Sequence, residues 1–172
     1  QQIDGYVTDI LHDLAIDFIN EERTNPFMLY LSHKGLHENI FQADDGSGDD
    51  LPEGQTRTGI IAADRHVGMY KDGEPPHRPN YGISPTDKPA LMRKINEMPP
   101  LSKATVTPNS TIHDRHEMLM AIDEGLGRLL EELDVNGELD NTVVVVTSDH
   151  GFWYGEHGLS EERRMSYEEG IR

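Results

Sequence analysis

Apolar residues recur at helical spacing from Tyr6 to Glu21, with Val7, Ile10, Leu11, Leu14 and Phe18 along one stripe. This pattern predicts an amphipathic helix with a single buried face. Asn25-Pro26 ends it, and Phe27 to Leu31 then forms a short continuous apolar run closed by Ser32-His33. A run of that length between turn signals reads as a strand buried on both faces. Helical order returns from Ile112 to Leu133, where Leu119, Ile122, Leu126, Leu129, Leu130 and Leu133 share one face and Asn136-Gly137 supplies a stop. Thr142 to Thr147 is β-branched throughout, as expected of a central strand in a parallel sheet. The order helix, strand, loop, helix, strand indicates α/β architecture.

Between the two halves of this pattern, over residues 38–109, periodicity disappears and Pro, Gly, Asp and His accumulate. So long a stretch without regular elements is uncommon in one domain unless it forms a functional rim, so we read it as an irregular excursion on the substrate side. The 172 residues suffice for one domain with a core, while 35% hydrophobic residues and a mean hydropathy of −0.64 concentrate that core in few segments. A net charge of −17 argues against nucleic acid, whose binding is driven by basic patches. Cysteine is absent, which excludes disulfides and thiolate metal sites. No apolar run approaches the roughly 20 residues of a membrane span. The chain opens at Gln1 and closes at Arg172 within an unfinished motif, so both ends read as cuts within a larger protein.

In open α/β sheets ligands bind beyond the carboxyl ends of the strands. Two segments occupy such places: Ser32-His33-Lys34-Gly35-Leu36-His37, and Ser148-Asp149-His150-Gly151. Asp149 and His150 offer an oxygen and a nitrogen to one cation; equally, Asp149 could cap a following helix or turn and His150 be a polar rim. A hard divalent ion takes about six ligands, so two adjacent ones cannot complete a site. His37 could donate a proton near neutral pH, or be a solvated loop residue, and Lys34 has the same two readings. The acidic run Asp44 to Asp50 lacks the fixed offsets, late Glu and flanking helices of a calcium loop and reads as a solvated turn. Met69, Tyr70, Trp153 and Tyr154 could line a sugar-binding rim or simply pack.

Three separated strings resemble sulfatases of the alkaline-phosphatase superfamily: PFMLYLSHKGLH (Pro26 to His37), AIDEGLGRLLEELDVNGELDNTVVVVTSDHG (Ala121 to Gly151) and GEHGLSEERRMSYEEGIR (Gly155 to Arg172). In the excursion, ADRHVGMYKDGEPPHRPN, and after it IHDRHEMLMAID, look like the portion found in carbohydrate sulfatases, including those resembling N-acetylglucosamine-6-sulfatases. The resemblance implies an alkaline-phosphatase-like sheet sandwiched by helices, of which residues 1–172 are the C-terminal part. It also implies a sulfuric ester hydrolase that uses a calcium ion and an oxidised nucleophile, formylglycine. The C/S-x-P-x-R string that yields formylglycine is absent, so the nucleophile is expected outside this chain, which alone should be inactive.

Carried over position by position, the resemblance makes Asp149 a metal ligand and His150 its neighbour at the metal or the sulfate. It makes His37 the group that protonates or polarises the leaving oxygen. Lys34, His157 and Trp153 fall on its substrate side. The family lysine that follows GEHG has no exact counterpart: counting back from Tyr167 gives Arg163, counting forward from His157 gives Glu162. We take Arg163, with Arg164 beside it, because a guanidinium can bind a sulfate oxygen pair; alternatively both pair with nearby glutamates. Expected partners are a sulfated glycan or small molecule and the remainder of the catalytic domain, with no nucleic acid and no membrane span, and the expected location is the periplasm or the exterior. A phosphate or phosphonate monoester hydrolase of the same superfamily, and a non-catalytic sulfatase-like binding module, remain as alternatives.

Overall fold

The computed structural model describes residues 3–38, 59–85, 101–160 and 167–171. The chain divides into two compact units, residues 1–72 with 113–144 and residues 73–112 with 145–172.

In the first unit, α1 (Val7–Ile19) lies against α2 (Asn109–Val135). Both helices fall where periodicity places them. The buried face of α1 does not: Thr8, His12, Ala15 and Ile19 are covered, whereas Val7 and Leu14 of the expected stripe are exposed. Small and polar positions meet α2 because the helices approach closely. Ala15 and Ile19 join Leu129 and Leu133 in the core of this unit, flanked by Ile16, Phe27, Leu31 and Leu139. At the approach, a Cβ on Gly125 would fall on the His12 imidazole. Glycine in a helix interior costs about 1 kcal/mol relative to alanine; here it makes room for a ring that is 1% exposed.

A 3-10 turn at Asp64–His66 ties both helices together through charge. The Arg65 guanidinium donates to both Asp9 oxygens and to Glu124, each at 2.8 Å, and buried His66 reaches Glu124 Oε1 at 2.8 Å. Arg65 holds the Asp9 carboxyl below the usual range, and His66, then Arg65, do the same for Glu124. At its far end α2 stops as expected at Gly137 (φ 70°), where the Glu138 amide returns to Leu133 O at 2.8 Å and the Gly137 amide to Asp134 O at 2.9 Å. This is the double bond of a Schellman terminus.

The two expected strands differ from their reading. Phe27 to Leu31 and Thr142 to Thr147 lie outside helices, but neither has a ladder among the described residues; an isolated antiparallel bridge joins Tyr81 and Glu156. Nor is either buried on both faces. Met28 and Tyr30 are 86% and 85% exposed while Phe27 and Leu31 pack inward, and Val143 is 89% exposed. Phe27 and Leu31 are the covered ends of this run, while Leu29 between them is 37% exposed. A central strand has neighbours on both edges to satisfy its backbone, and none is present among the described residues.

The second unit is built from loops around Trp153, which is fully buried with Leu101 and Leu159 and meets Tyr167 edge to face at 5.3 Å between centroids. Part of the excursion supplies its frame. Gly82 donates to Gly155 O at 2.8 Å, Thr107 to Tyr154 O at 3.1 Å and Gly151 to Gly170 O at 3.0 Å. Gly155 (φ 148°) sits where a Cβ would strike the Tyr81 ring. Among the described residues no helix is long and apolar enough to cross a membrane.

Two glycines on one helix separate contact from propensity. Gly125→Ala should destabilise the protein by about 1–3 kcal/mol through overpacking on His12, whereas Gly127→Ala, whose Cβ meets nothing, should stabilise it by up to about 1 kcal/mol. Denaturant unfolding of the two variants gives opposite signs if the close approach at His12 is correct.

Candidate active site

Lys34 and His37 enter one cavity of the first unit, of about 340 Å³, together with Tyr6, Thr8, Gly35 and Met118. A tight turn puts them there. The His37 amide donates to Lys34 O at 3.2 Å, and Leu36 between them adopts φ 70°, a left-handed conformation unusual for a side chain with a branched Cγ. His37 Nδ1 lies 2.9 Å from Glu38 O. A carbonyl only accepts, so Nδ1 carries the hydrogen and Nε2 is left to exchange a proton. Across the entrance the Tyr6 hydroxyl donates to Ile61 O at 3.1 Å; burial, with help from Asp9, raises its pKa against the opposing effects of Thr8 and Arg65. Tyr6 and Thr8 were not singled out in the sequence. Their one signal is their place at the start of α1.

Asp149 and His150 share a turn in the second unit. His150 Nδ1 donates to Gly151 O at 2.8 Å, Ser148 Oγ donates to His150 O at 2.7 Å, and Asp149 Oδ2 stands 3.6 Å from His150 Nε2. The Asp149 side chain is 87% exposed and no helix follows it, so it caps none. An imidazole nitrogen bearing a lone pair and a carboxylate oxygen so close together form a donor pair that fits a divalent cation. Among the described residues no group of three or more His, Asp or Glu side chains could hold a metal ion. Asp149 and His150 are two donors, fewer than a complete metal site needs.

His157 and Trp153 are placed elsewhere. Trp153 is 0% exposed, so it is a core residue and cannot offer a face to a sugar. His157, in a left-handed conformation (φ 59°), is an internal strut: its ring lies against Tyr167 at 4.6 Å and its Nε2 accepts from the Asn80 amide at 3.2 Å. Asn80 also donates to Glu169 Oε1 at 3.0 Å, while Asn80 O accepts from the His157 amide at 3.0 Å. Arg78 stands 3.8 Å from Glu156 and 3.9 Å from Glu169, both buried. Burial alone would raise the Glu169 pKa, but the Asn80 amide, Glu169's own backbone, His157 and Arg78 together hold it below the usual range. Nothing in the sequence pattern marked Asn80 or Glu169 as a pair, because 89 positions separate them. Arg163 and Arg164, like the acidic run at 44–50, lie outside the described residues. Met69 is exposed, while the Tyr70 ring packs beside His116 and its amide donates to Glu117.

The chain belongs to the sulfatase family, whose model matches residues 1–172. It is similar to the goat (Capra hircus) N-acetylglucosamine-6-sulfatase, at 24% identity over 97% of this chain and 26% of that protein. The N-acetylglucosamine-6-O-sulfatase of Bacteroides thetaiotaomicron is 28% identical over 96% of this chain and 36% of its own length. An extracellular sulfatase SULF-1 homolog of Drosophila melanogaster is 35% identical over 56% of this chain and 8% of that protein. The chain thus spans about a quarter to a third of the length of the first two relatives. No solved structure matches it. Membership implies an alkaline-phosphatase-like α/β fold and the use of a metal ion; the described residues show the helices of that fold and few of its strand pairings.

Asn80→Ala removes the largest effect that lowers the Glu169 pKa. A depressed carboxylate pKa contributes stability above the unfolded value that is lost as pH falls through the folded one. Carboxyl NMR should therefore show Glu169 titrating at higher pH in the variant than in the parent. Its unfolding free energy at neutral pH should be lower by about 1–3 kcal/mol, the cost of leaving a buried polar partner unmet.

Proposed function

We propose that the full-length protein hydrolyses sulfuric esters, with a sulfated carbohydrate as substrate, and that this chain forms one wall of the active site. The observation that carries this reading is that a sulfatase match over residues 1–172 coincides with one cavity lined by both Lys34 and His37. The likeness to N-acetylglucosamine-6-sulfatases supports a carbohydrate substrate.

His37 serves as the proton donor. With Nδ1 committed to Glu38 O, a second proton resides on Nε2 and passes to the ester oxygen as the sulfur–oxygen bond breaks. The Lys34 ammonium, in the same cavity, offsets negative charge on the sulfate oxygens, and Arg163, with Arg164, adds a planar cation for an oxygen pair. Asp149 and His150, with further ligands from outside this chain, would hold a calcium ion, whose charge would serve to polarise the sulfate. The attacking group, a formylglycine, also lies outside this chain. Exposed segments such as Met28 to Tyr30 and Val143 to Val146 are the faces on which the remainder of the domain packs. Export to the periplasm or exterior accords with the extracellular relatives.

The test uses full-length protein with an aryl sulfate, an alkyl or sugar sulfate and the matching aryl phosphate. Turnover of sulfate above phosphate is expected; the reverse preference reassigns the protein to the phosphate monoester hydrolases, and no turnover of either sinks the enzymatic reading. His37→Ala should lower kcat by about 10²–10⁴-fold on the alkyl sulfate and far less on 4-nitrophenyl sulfate, whose leaving group needs no proton. Equal losses on both would remove His37 from that role. Asp149→Ala should raise the calcium concentration needed for half-maximal activity, and an unchanged calcium dependence rejects it as a ligand.

A further inference from the structure

His33 directly precedes the turn that carries Lys34 and His37, and it is held by another histidine. The His12 and His33 rings lie 4.6 Å apart between centroids, tilted by 31°. His12 is fixed from three sides. Its Nδ1 donates to Thr8 O at 2.8 Å, Gly125 on α2 has no Cβ because the ring occupies that space, and His33 covers a further face. His33 has its own constraint: its Nδ1 is buried without a hydrogen-bond partner. A proton placed there would be a buried N–H with no acceptor, which is unfavourable. A charged His33 would also face a second imidazole at van der Waals distance, and two imidazolium ions at that separation repel. Both rings are thus built to be uncharged.

We propose that His12 and His33 form a neutral ring-on-ring clasp that positions the Lys34 to His37 turn, so that acid opens the clasp and loosens the turn. His33 and His12 are positioning residues here. The consequence for catalysis rests on Lys34 and His37 acting as described above; the clasp itself does not.

The surrounding charges are compatible with this. From α1, Asp9 and Asp13 favour protonation of His12, but each is already engaged, Asp9 by Arg65 and Asp13 by Arg128 at 2.6 Å. From α2, Arg128 opposes protonation, while Glu124 beside Gly125 is taken by Arg65 and His66. Burial first, then Arg128, pushes the His12 pKa down against the Thr8 carbonyl and the two aspartates; burial, then His12, pushes His33 down. For a histidine depressed in the folded state, the clasp is fully stable above the ordinary value of about 6.5 and weakens as pH falls below it, because the released rings take up protons first.

Hydrogen–deuterium exchange of the segment 33–38 in the full-length protein tests the clasp. Protection factors, corrected for the pH dependence of intrinsic exchange, should fall between pH 7.5 and 5.0 as the released rings take up protons. In His33→Phe, which keeps a ring but cannot titrate, the fall should shrink to the part that His12 alone contributes. Protection that does not change with pH in the parent, or that falls equally in the variant, overturns the proposal. Should the variant not fold, histidine ring NMR of the parent decides: both rings titrating below the ordinary value upholds the clasp, and either at or above it rejects the clasp. Exchange is read at backbone amides, so this failure leaves ester hydrolysis standing, and absence of hydrolysis leaves the clasp standing.

Discussion

The imidazole of His12 occupies the space that Gly125 leaves on α2, and most of the first unit follows from that contact. It sets how near the helices lie, which is why α1 buries Thr8, Ala15 and Ile19 beside the ring and leaves Val7 and Leu14 outside. It places a flat surface under His33, from which the turn bearing Lys34 and His37 departs. The ion-paired turn at Asp64–His66 holds the same two helices from another point. A buried polar group costs free energy unless its hydrogen-bonding capacity is met, and the Thr8 carbonyl meets that need for His12 at one nitrogen.

The second unit solves a different problem. It has a single large aromatic core residue, Trp153, and little regular structure, so backbone hydrogen bonds between loops and a polar cluster take the place of helix packing. Asn80 is the hinge of that cluster, touching His157 by side chain and main chain and Glu169 by side chain. Its role shows why His157 belongs to the architecture: a ring pinned between Asn80 and Tyr167 has little freedom to follow a ligand.

The helices were legible from sequence because their signal is local: the 3.6-residue period of α2 and the Asn136-Gly137 stop lie within the element they define. The stripe of α1 was misjudged because hydrophobicity says which residues prefer burial, whereas the partner, here a glycine 113 positions beyond His12, decides which are buried. Strand pairing is non-local by nature, so Thr142 to Thr147 could be recognised as β-branched without any indication of what would lie beside it. Their place just past the two apolar runs singled out Lys34, His37, Asp149 and His150, family likeness gave them roles, and the structure places them as two pairs, one in a cavity and one in a turn. Trp153 went astray because an aromatic side chain next to a polar motif reads the same in sequence whether it faces solvent or the core.

The bare valines from Val143 to Val146 have one more implication. Four accessible β-branched residues without a ladder among the described residues are a bare edge that the remainder of the domain, as proposed above, would cover. Without that cover, copies of this chain would be held apart by a net charge of −17, whose repulsion reaches only about 8 Å at physiological ionic strength, so added salt would favour self-association.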